Sequence, residues 1–306
     1  MDKKALLTPL DRKVQQKMLE ESVVTPSIPY AKEVWHRLKK NKVAFVSLLI
    51  LSMLFLTAIL APLLSPYTYY ETQLHLKNSP PSQEFWFGTD ELGRDLFTRC
   101  WWGARISFFV GITASFIDLI VGVLYGSIAA LCGRRVEEWM MRCADILYSI
   151  PYLLVVILLM VVIGPGIMTI ILALTITGWI NMARIVRAQV LQVKAQDFVT
   201  AAVALGATQK RILFYHLIPN SLGPILVTLT LTVPAAIFAE AFLSFLGLGV
   251  QAPIASLGTM ANDGLAALRY YPWRLFFPAT IITLTMLGFN LLGDGLRDAL
   301  DPRLNR

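Results

Sequence analysis

The chain has 306 residues, of which 56% are apolar and only 15% charged. A soluble domain of this size needs more charge to cover its surface, so the composition excludes an ordinary water-soluble fold and points to the membrane. The formal net charge of +7 is not a nucleic-acid footprint, because the basic residues form no single patch and sit in the gaps between apolar runs.

The N-terminal stretch is polar and charged, with no apolar h-region near Met1. The first apolar run is therefore expected to remain as a membrane span behind a cytoplasmic arm over residues 1–42. That run, Val43 to Ser65, would be ~34 Å long at ~1.5 Å per residue, enough to cross the hydrocarbon core. Five further runs follow, near Ser107–Leu131, Cys143–Ile163, Ile167–Ala183, Leu222–Phe245 and Leu275–Leu292. The sequence thus predicts an all-α membrane protein with six transmembrane helices in one domain over 43–306. Pro151 and Pro234 lie inside apolar runs and predict kinks in the third and fifth spans. Arg142 and Asp145, three apart, are expected to pair at the inner end of the third.

Lysine and arginine set the orientation. With the N-terminus inside, the cytoplasmic segments hold ten basic residues before the first span, then Arg134, Arg135 and Arg142. They also hold Arg184, Arg187, Lys194, Lys210 and Arg211, and finally Arg297, Arg303 and Arg306. The outer segments hold only Lys77, Arg94, Arg99, Arg105, Arg269 and Arg274. Both termini are therefore expected to be cytoplasmic. Three connecting segments stand out: an aromatic, Gly-punctuated outer segment over 66–105, a long cytoplasmic loop over 184–221, and a second outer segment over 246–274.

Within the cytoplasmic loop, Asp197 is a plausible N-cap of an Ala-rich helix reaching Leu205. Gly206 falls where such a helix ends in a left-handed residue. Thr208 can cap a second helix with Ile212, Leu213, Tyr215 or His216 on its apolar face and Lys210 and Arg211 on its basic face. Pro219 is expected to stop that helix, and Pro224 suits the start of the fifth span. The prediction is a short helix–turn–helix on the inner face of the membrane.

The remaining chemistry-bearing residues are sparse. Asp118 and Glu240 fall within the second and fifth spans, where a carboxylate is costly and reads as a candidate pathway group. The alternative is that each meets water or a backbone donor near a span end. Asp90, Glu91, Arg94 and Asp95 suggest a turn punctuated by Gly93 and leading into a helix, with Asp90 capping and Arg94 pairing locally. No nucleophile–base–orienter set accompanies them, so no catalytic residue is assigned. His36, His75 and His216 are scattered and make no metal site, and Cys100, Cys132 and Cys143 read as structural. There is no Gly-Lys dipeptide, hence no phosphate-binding Walker A loop.

Ala201, Ala202, Gly206 and Pro219 match the EAA loop of ABC-importer permeases, which has Glu-Ala-Ala, a Gly four residues on and a late Pro. Thr200 stands where that family has Glu. The segments Trp86–Arg99, Gly103–Ser107, Glu240–Gln251 and Gly293–Pro302 resemble the oligopeptide/dipeptide/nickel permeases, from about Val34 to Leu304. The likeness is strongest to the C-type subunit of oligopeptide importers, helped by Met140–Arg142 and Asn181–Arg187. Leu257 departs from the Trp that usually follows Ser256.

The resemblance implies a type I ABC-importer permease fold in a bacterial inner membrane, forming half of a translocation pathway. It implies a homologous second permease subunit, two ATPase subunits that bind ATP and Mg, and an extracytoplasmic peptide-binding protein. Beyond membrane lipid, no other partner and no nucleic acid is implied, and no cofactor belongs to this chain. Thr200, Ala201, Ala202, Gly206, Arg211, His216 and Pro219 would form the ATPase-coupling surface, and Asp90, Arg94 and Asp95 would face the binding protein. Dipeptides or nickel complexes are alternative substrates, and a membrane enzyme or a scaffold or receptor signalling through the inner loop is the competing class of function.

Overall fold

The structure, a computed structural model, describes residues 30–300; the arm over residues 1–29 and the basic residues past 300 lie outside the described residues. Among the described residues the chain is helical, with one isolated bridge between Thr89 and Asp95 and no strand. In chain order the helices are α1 (Tyr30–Lys40), α2 (Lys42–Leu64), α3 (Leu96–Leu131), α4 (Arg134–Tyr148), α5 (Tyr152–Ile163), α6 (Ile167–Lys194) and α7 (Asp197–Ala204). They continue with α8 (Gln209–Phe245), α9 (Leu257–Ala267) and α10 (Trp273–Leu300).

Five of these, α2, α3, α6, α8 and α10, are long and apolar enough to cross a membrane. The third crossing is different. A continuous helix over Cys143–Ile163 is expected from the apolar run, yet the chain breaks at Ser149–Pro151 and α4 and α5 meet at 74°. Proline cannot continue the hydrogen-bond ladder and crowds the preceding turn, so the kink expected at Pro151 becomes a full break. The 12 residues of α5 reach only about 18 Å, short of the ~30 Å hydrocarbon core. Six crossings therefore exist only if the bent pair counts as one.

α4 is held by charge as well as packing. Arg184 donates to Asp145 at 2.7 Å and Arg187 Nε donates to Glu137 at 2.6 Å. The expected Arg142–Asp145 pair does not form; an arginine from a neighbouring helix takes the carboxylate instead. The Tyr125 hydroxyl adds a 2.7 Å bond to the Met140 carbonyl.

α3 and α6 run together over much of their length. A β-carbon on Gly122 would lie 2.6 Å from Met182, and one on Gly126 would lie 2.3 Å from the Ala183 carbonyl. Glycine at these positions lets the two backbones approach, the usual basis of helix association where lipid offers no hydrophobic drive. A second tight contact joins α10 to α2, where Gly295 faces Ala44 and Gly288 faces Leu51.

The two ends of the bundle are built differently. At one end a cap over residues 66–95 folds onto the starts of α3 and α10, with the Phe87 and Phe277 rings stacked at 3.9 Å. At the other, α7 and the start of α8 form a hairpin against the end of α6. The buried apolar side chains gather in three main groups, one under the cap, one midway, and one under the hairpin.

Candidate functional site

The first arm of the hairpin is α7. Its N-cap is Gln196, extended at φ −85° and ψ 150° and making no side-chain capping bond. Asp197 is thus the first helical residue rather than the cap, still well placed against the positive end of the helix dipole. The arm ends in a Schellman motif, in which Ala207 N–H donates to the Ala202 carbonyl at 3.0 Å and Gly206 N–H to the Val203 carbonyl at 2.9 Å. Gly206 sits at φ +81°, and a β-carbon there would meet nothing within 4 Å. Backbone angle alone selects glycine there.

The second arm starts at Thr208, whose Oγ1 accepts from the Arg211 N–H at 3.4 Å. Sequence alone stops this arm at Pro219, but the helix passes straight through. Ile218 N–H donates to the Leu213 carbonyl, closing a π turn over Leu213–Leu217. That wider turn falls just where Pro219 has no N–H to give and where its ring would crowd the preceding turn. The consequence is mechanical: 37 residues from Gln209 to Phe245 form one continuous rod.

The hairpin rests on an apolar base. Val199, Ile212, Leu213 and Leu217 pack with Met182, Val186, Val190 and Val193 of α6 and with Ile225. The Lys194 ammonium donates to the Ala130 carbonyl at 3.0 Å, tying the end of α6 to the end of α3. The π turn shifts the register, so Leu217 is buried while Tyr215, read from sequence as a member of the apolar face, is 75% exposed.

The outward surface is unusually apolar. Leu205 at the tip is 89% exposed, with Val203, Phe214 and Tyr215 also uncovered. Lys210 and Arg211 border this patch and line a shallow groove with Phe214 and Tyr215. Of the residues singled out from the sequence, Thr200, Ala201, Gly206, Arg211 and Pro219 are exposed and Ala202 and His216 half-buried. All seven belong to this one hairpin. The sequence reading takes Leu205 only as the end of the first helix and places Tyr215 on the apolar face, whereas both belong to the exposed surface; the available signal for Leu205 is its place just before a left-handed glycine.

At the opposite end, Asp90, Arg94 and Asp95 are buried. Asp90 Oδ1 accepts from the backbone N–H of Leu92 at 2.8 Å and of Arg94 at 2.9 Å. Its Oδ2 accepts from Arg94 Nε at 2.6 Å and lies 3.3 Å from Arg99 Nε. Asp90 therefore organises the turn, and Asp95, rather than Asp90, caps α3 by accepting from Thr98 N–H at 2.8 Å. Burial pushes the Asp95 carboxyl above its ordinary range, against the opposing pull of its Thr98 hydrogen bonds. Arg274 reaches in from α10 to Asn78 at 3.2 Å and to Glu91, a partnership with no signature in local spacing.

The two carboxylates within the spans are enclosed by this chain's own helices. Glu240 is fully buried, and accepts from Ser107 at 2.6 Å and from Ser244 at 2.8 Å. Asp118 is 6% exposed and faces Gly178 of α6, and its Oδ1 has no hydrogen-bond partner. Among the described residues no group of three or more His, Cys, Asp or Glu stands close enough to hold a metal ion.

Residues 122–306, which include α6, the hairpin, α8 and α10, match the family described as binding-protein-dependent transport system inner membrane component. The chain belongs to that family. Residues 29–81 match the N-terminal transmembrane domain of oligopeptide transport permease C. The chain is 59% identical over 286 residues to the oligopeptide transport system permease protein OppC of Bacillus subtilis, covering 94% of each. It is 58% identical over 287 residues to the dipeptide transport system permease protein DppC of the same organism, covering 94% of this chain and 90% of that one. It is also 43% identical over 269 residues to OppC of Escherichia coli K12, covering 87% and 89%.

Among solved structures, the permease resembles an inward-facing MetNI methionine ABC transporter with a TM-score of 0.54 at 17% identity. That match covers 65% of this chain and 94% of the other. An amino acid ABC transporter matches with a TM-score of 0.50 at 20% identity, covering 64% and 91%. Likeness at this level concerns the fold alone, and the fold is that of an ABC-importer permease. The permease is a multi-pass inner-membrane component.

Proposed function

We propose that this permease forms half of the translocation pathway of an ATP-driven peptide importer, and that its hairpin is the surface gripped by a separate ATPase subunit. The observation that carries the reading is Leu205. A leucine 89% exposed to solvent on a well-formed turn is a docking residue in want of a partner. The second arm joins that docking surface directly to a helix reaching Phe245, so a displacement at the tip is delivered across the membrane without an intervening hinge loop.

On this reading the hairpin end is cytoplasmic, supported by the basic residues gathered at Arg134, Arg135, Arg184, Arg187, Lys194, Lys210 and Arg211. Both termini lie on that side. The cap faces outward and supplies Asp90, Arg94 and Asp95 as the frame of a surface for an extracytoplasmic binding protein. A homologous second permease completes the pathway, and two ATPases bind ATP and Mg, so this chain performs no hydrolysis. Asp118, with an unpartnered oxygen, is the stronger pathway candidate; Glu240 already has its hydrogen bonds.

The substrate class is peptides, oligopeptides foremost. Dipeptides are a second reading favoured by one observation, the nearly equal identity to the dipeptide relative.

Vesicles holding the permease with its partner subunits test the proposal. Peptide should accumulate only with ATP, and Gly206→Asp should abolish accumulation while the protein still inserts. Equal uptake by the variant would refute the coupling role.

A further inference from the structure

α1 is separated from the first membrane span by a single residue, Asn41. The span starts at Lys42, so α1 is held at the membrane surface by its covalent attachment. At 3.6 residues per turn, Lys32, Trp35, His36, Lys39 and Lys40 share one face, and all five are exposed. The opposite face carries Val34 and Leu38, which pack on Ala44 of α2 and on Leu292 and Ala299 of α10. Glu33, the helix's own carboxylate, pairs with Arg37. Lys39 lies over the Trp35 ring at 5.0 Å. Asp294 and Asp298 on the neighbouring end of α10 are exposed, yet among the described residues none of Lys32, Lys39, Lys40 or Lys42 forms an ion pair with them.

We propose that this face of α1 binds the phosphate headgroups of anionic phospholipid, with Trp35 seated at the headgroup boundary. Lysines beside an anionic leaflet gain electrostatic attraction that salt screens, and tryptophan prefers that depth. Because the other face of α1 packs on α2 and α10, bound lipid also holds the adjoining ends of the first and last spans together. The inference does not depend on the hairpin or on what is transported.

The test is retention of phosphatidylglycerol against phosphatidylcholine by the purified full chain, extracted from an equal mixture of the two and read by native mass spectrometry. Thermal unfolding is followed in parallel. The natural chain should favour phosphatidylglycerol by about tenfold and unfold at higher temperature with it. Changing Lys32, Lys39 and Lys40 together to Gln should remove the preference, and changing them to Arg should keep it. High salt should weaken it. Equal retention of the two lipids by the natural chain, an undiminished preference in the Gln variant, loss of preference in the Arg variant, or the same thermal shift from inorganic phosphate alone would overturn the proposal.

Discussion

Ser107 donates a 2.6 Å hydrogen bond to Glu240, joining α3 to α8 at a point sealed from solvent. Glu240 also accepts from Ser244 one turn along its own helix. The same neighbourhood carries the start of α9, where Ser256 caps the helix by accepting from Thr259 N–H at 3.3 Å, and where a β-carbon on Gly258 would lie 2.3 Å from the Ala241 carbonyl. The rod that begins at the hairpin thus ends in a fixed joint under the cap.

Removing the carboxylate from this joint leaves two buried hydroxyls without their acceptor. Glu240→Ala should therefore lower the stability of the purified permease by about 2–4 kcal/mol, seen as a fall in its unfolding midpoint. Glu240→Gln, which keeps an acceptor oxygen, should cost clearly less. Equal costs for the two would mean that the retained volume and single acceptor oxygen count for nothing, and that both carboxylate oxygens are needed.

The contact between α3 and α6 makes a sharper demand. Gly126→Leu places a side chain where the first carbon already lies 2.3 Å from the Ala183 carbonyl, so the helices must part. Overpacking of this kind costs about 1–3 kcal/mol or more, and the yield of folded protein should fall with it. Gly166→Ala is the control, since a β-carbon there meets nothing within 4 Å. Its unfolding midpoint should match the unaltered chain.

Asp95 gives the cap a pH dependence of defined sign. Its carboxyl titrates above the ordinary range because burial disfavours the charged form. Between the ordinary value and the raised one, the folded state binds more protons than the unfolded state, so stability falls as pH rises through that window. Asp95→Asn keeps an N-cap oxygen for Thr98 and removes the titration. A pH series of unfolding midpoints should show a shallower fall for the variant; parallel curves would exclude Asp95 as the source.

Much of this architecture is legible in the sequence, because the membrane forces long apolar helices and local turn chemistry is short-range. Gly206 and Thr208 carry their roles in residue type and position, and both behave as expected. What escapes is whatever depends on a neighbouring element or on a small change of helical pitch. Pro219 reads as a stop until the π turn before it makes room. Asp145 reads as a partner for Arg142 until α6 brings Arg184 beside it. The run Cys143–Ile163 looks continuous by hydropathy, yet Pro151 divides it into an amphipathic helix and a short apolar one. Asp90 reads as the helix cap on paper, and the backbone puts Asp95 in that position instead.

The hairpin is the centre of the functional reading, and Leu205 is its most exposed large hydrophobic side chain. Leu205→Cys, in a chain with Cys132 and Cys143 changed to Ser, can be assembled with the proposed ATPase subunits and treated with a short thiol cross-linker. A cross-link to the ATPase subunit, lost when Leu205→Asp replaces the cysteine and accompanied by loss of ATP-dependent uptake, is the expected result. A fully assembled, transporting complex in which residue 205 reacts only with external thiol reagents and never with the ATPase would contradict it.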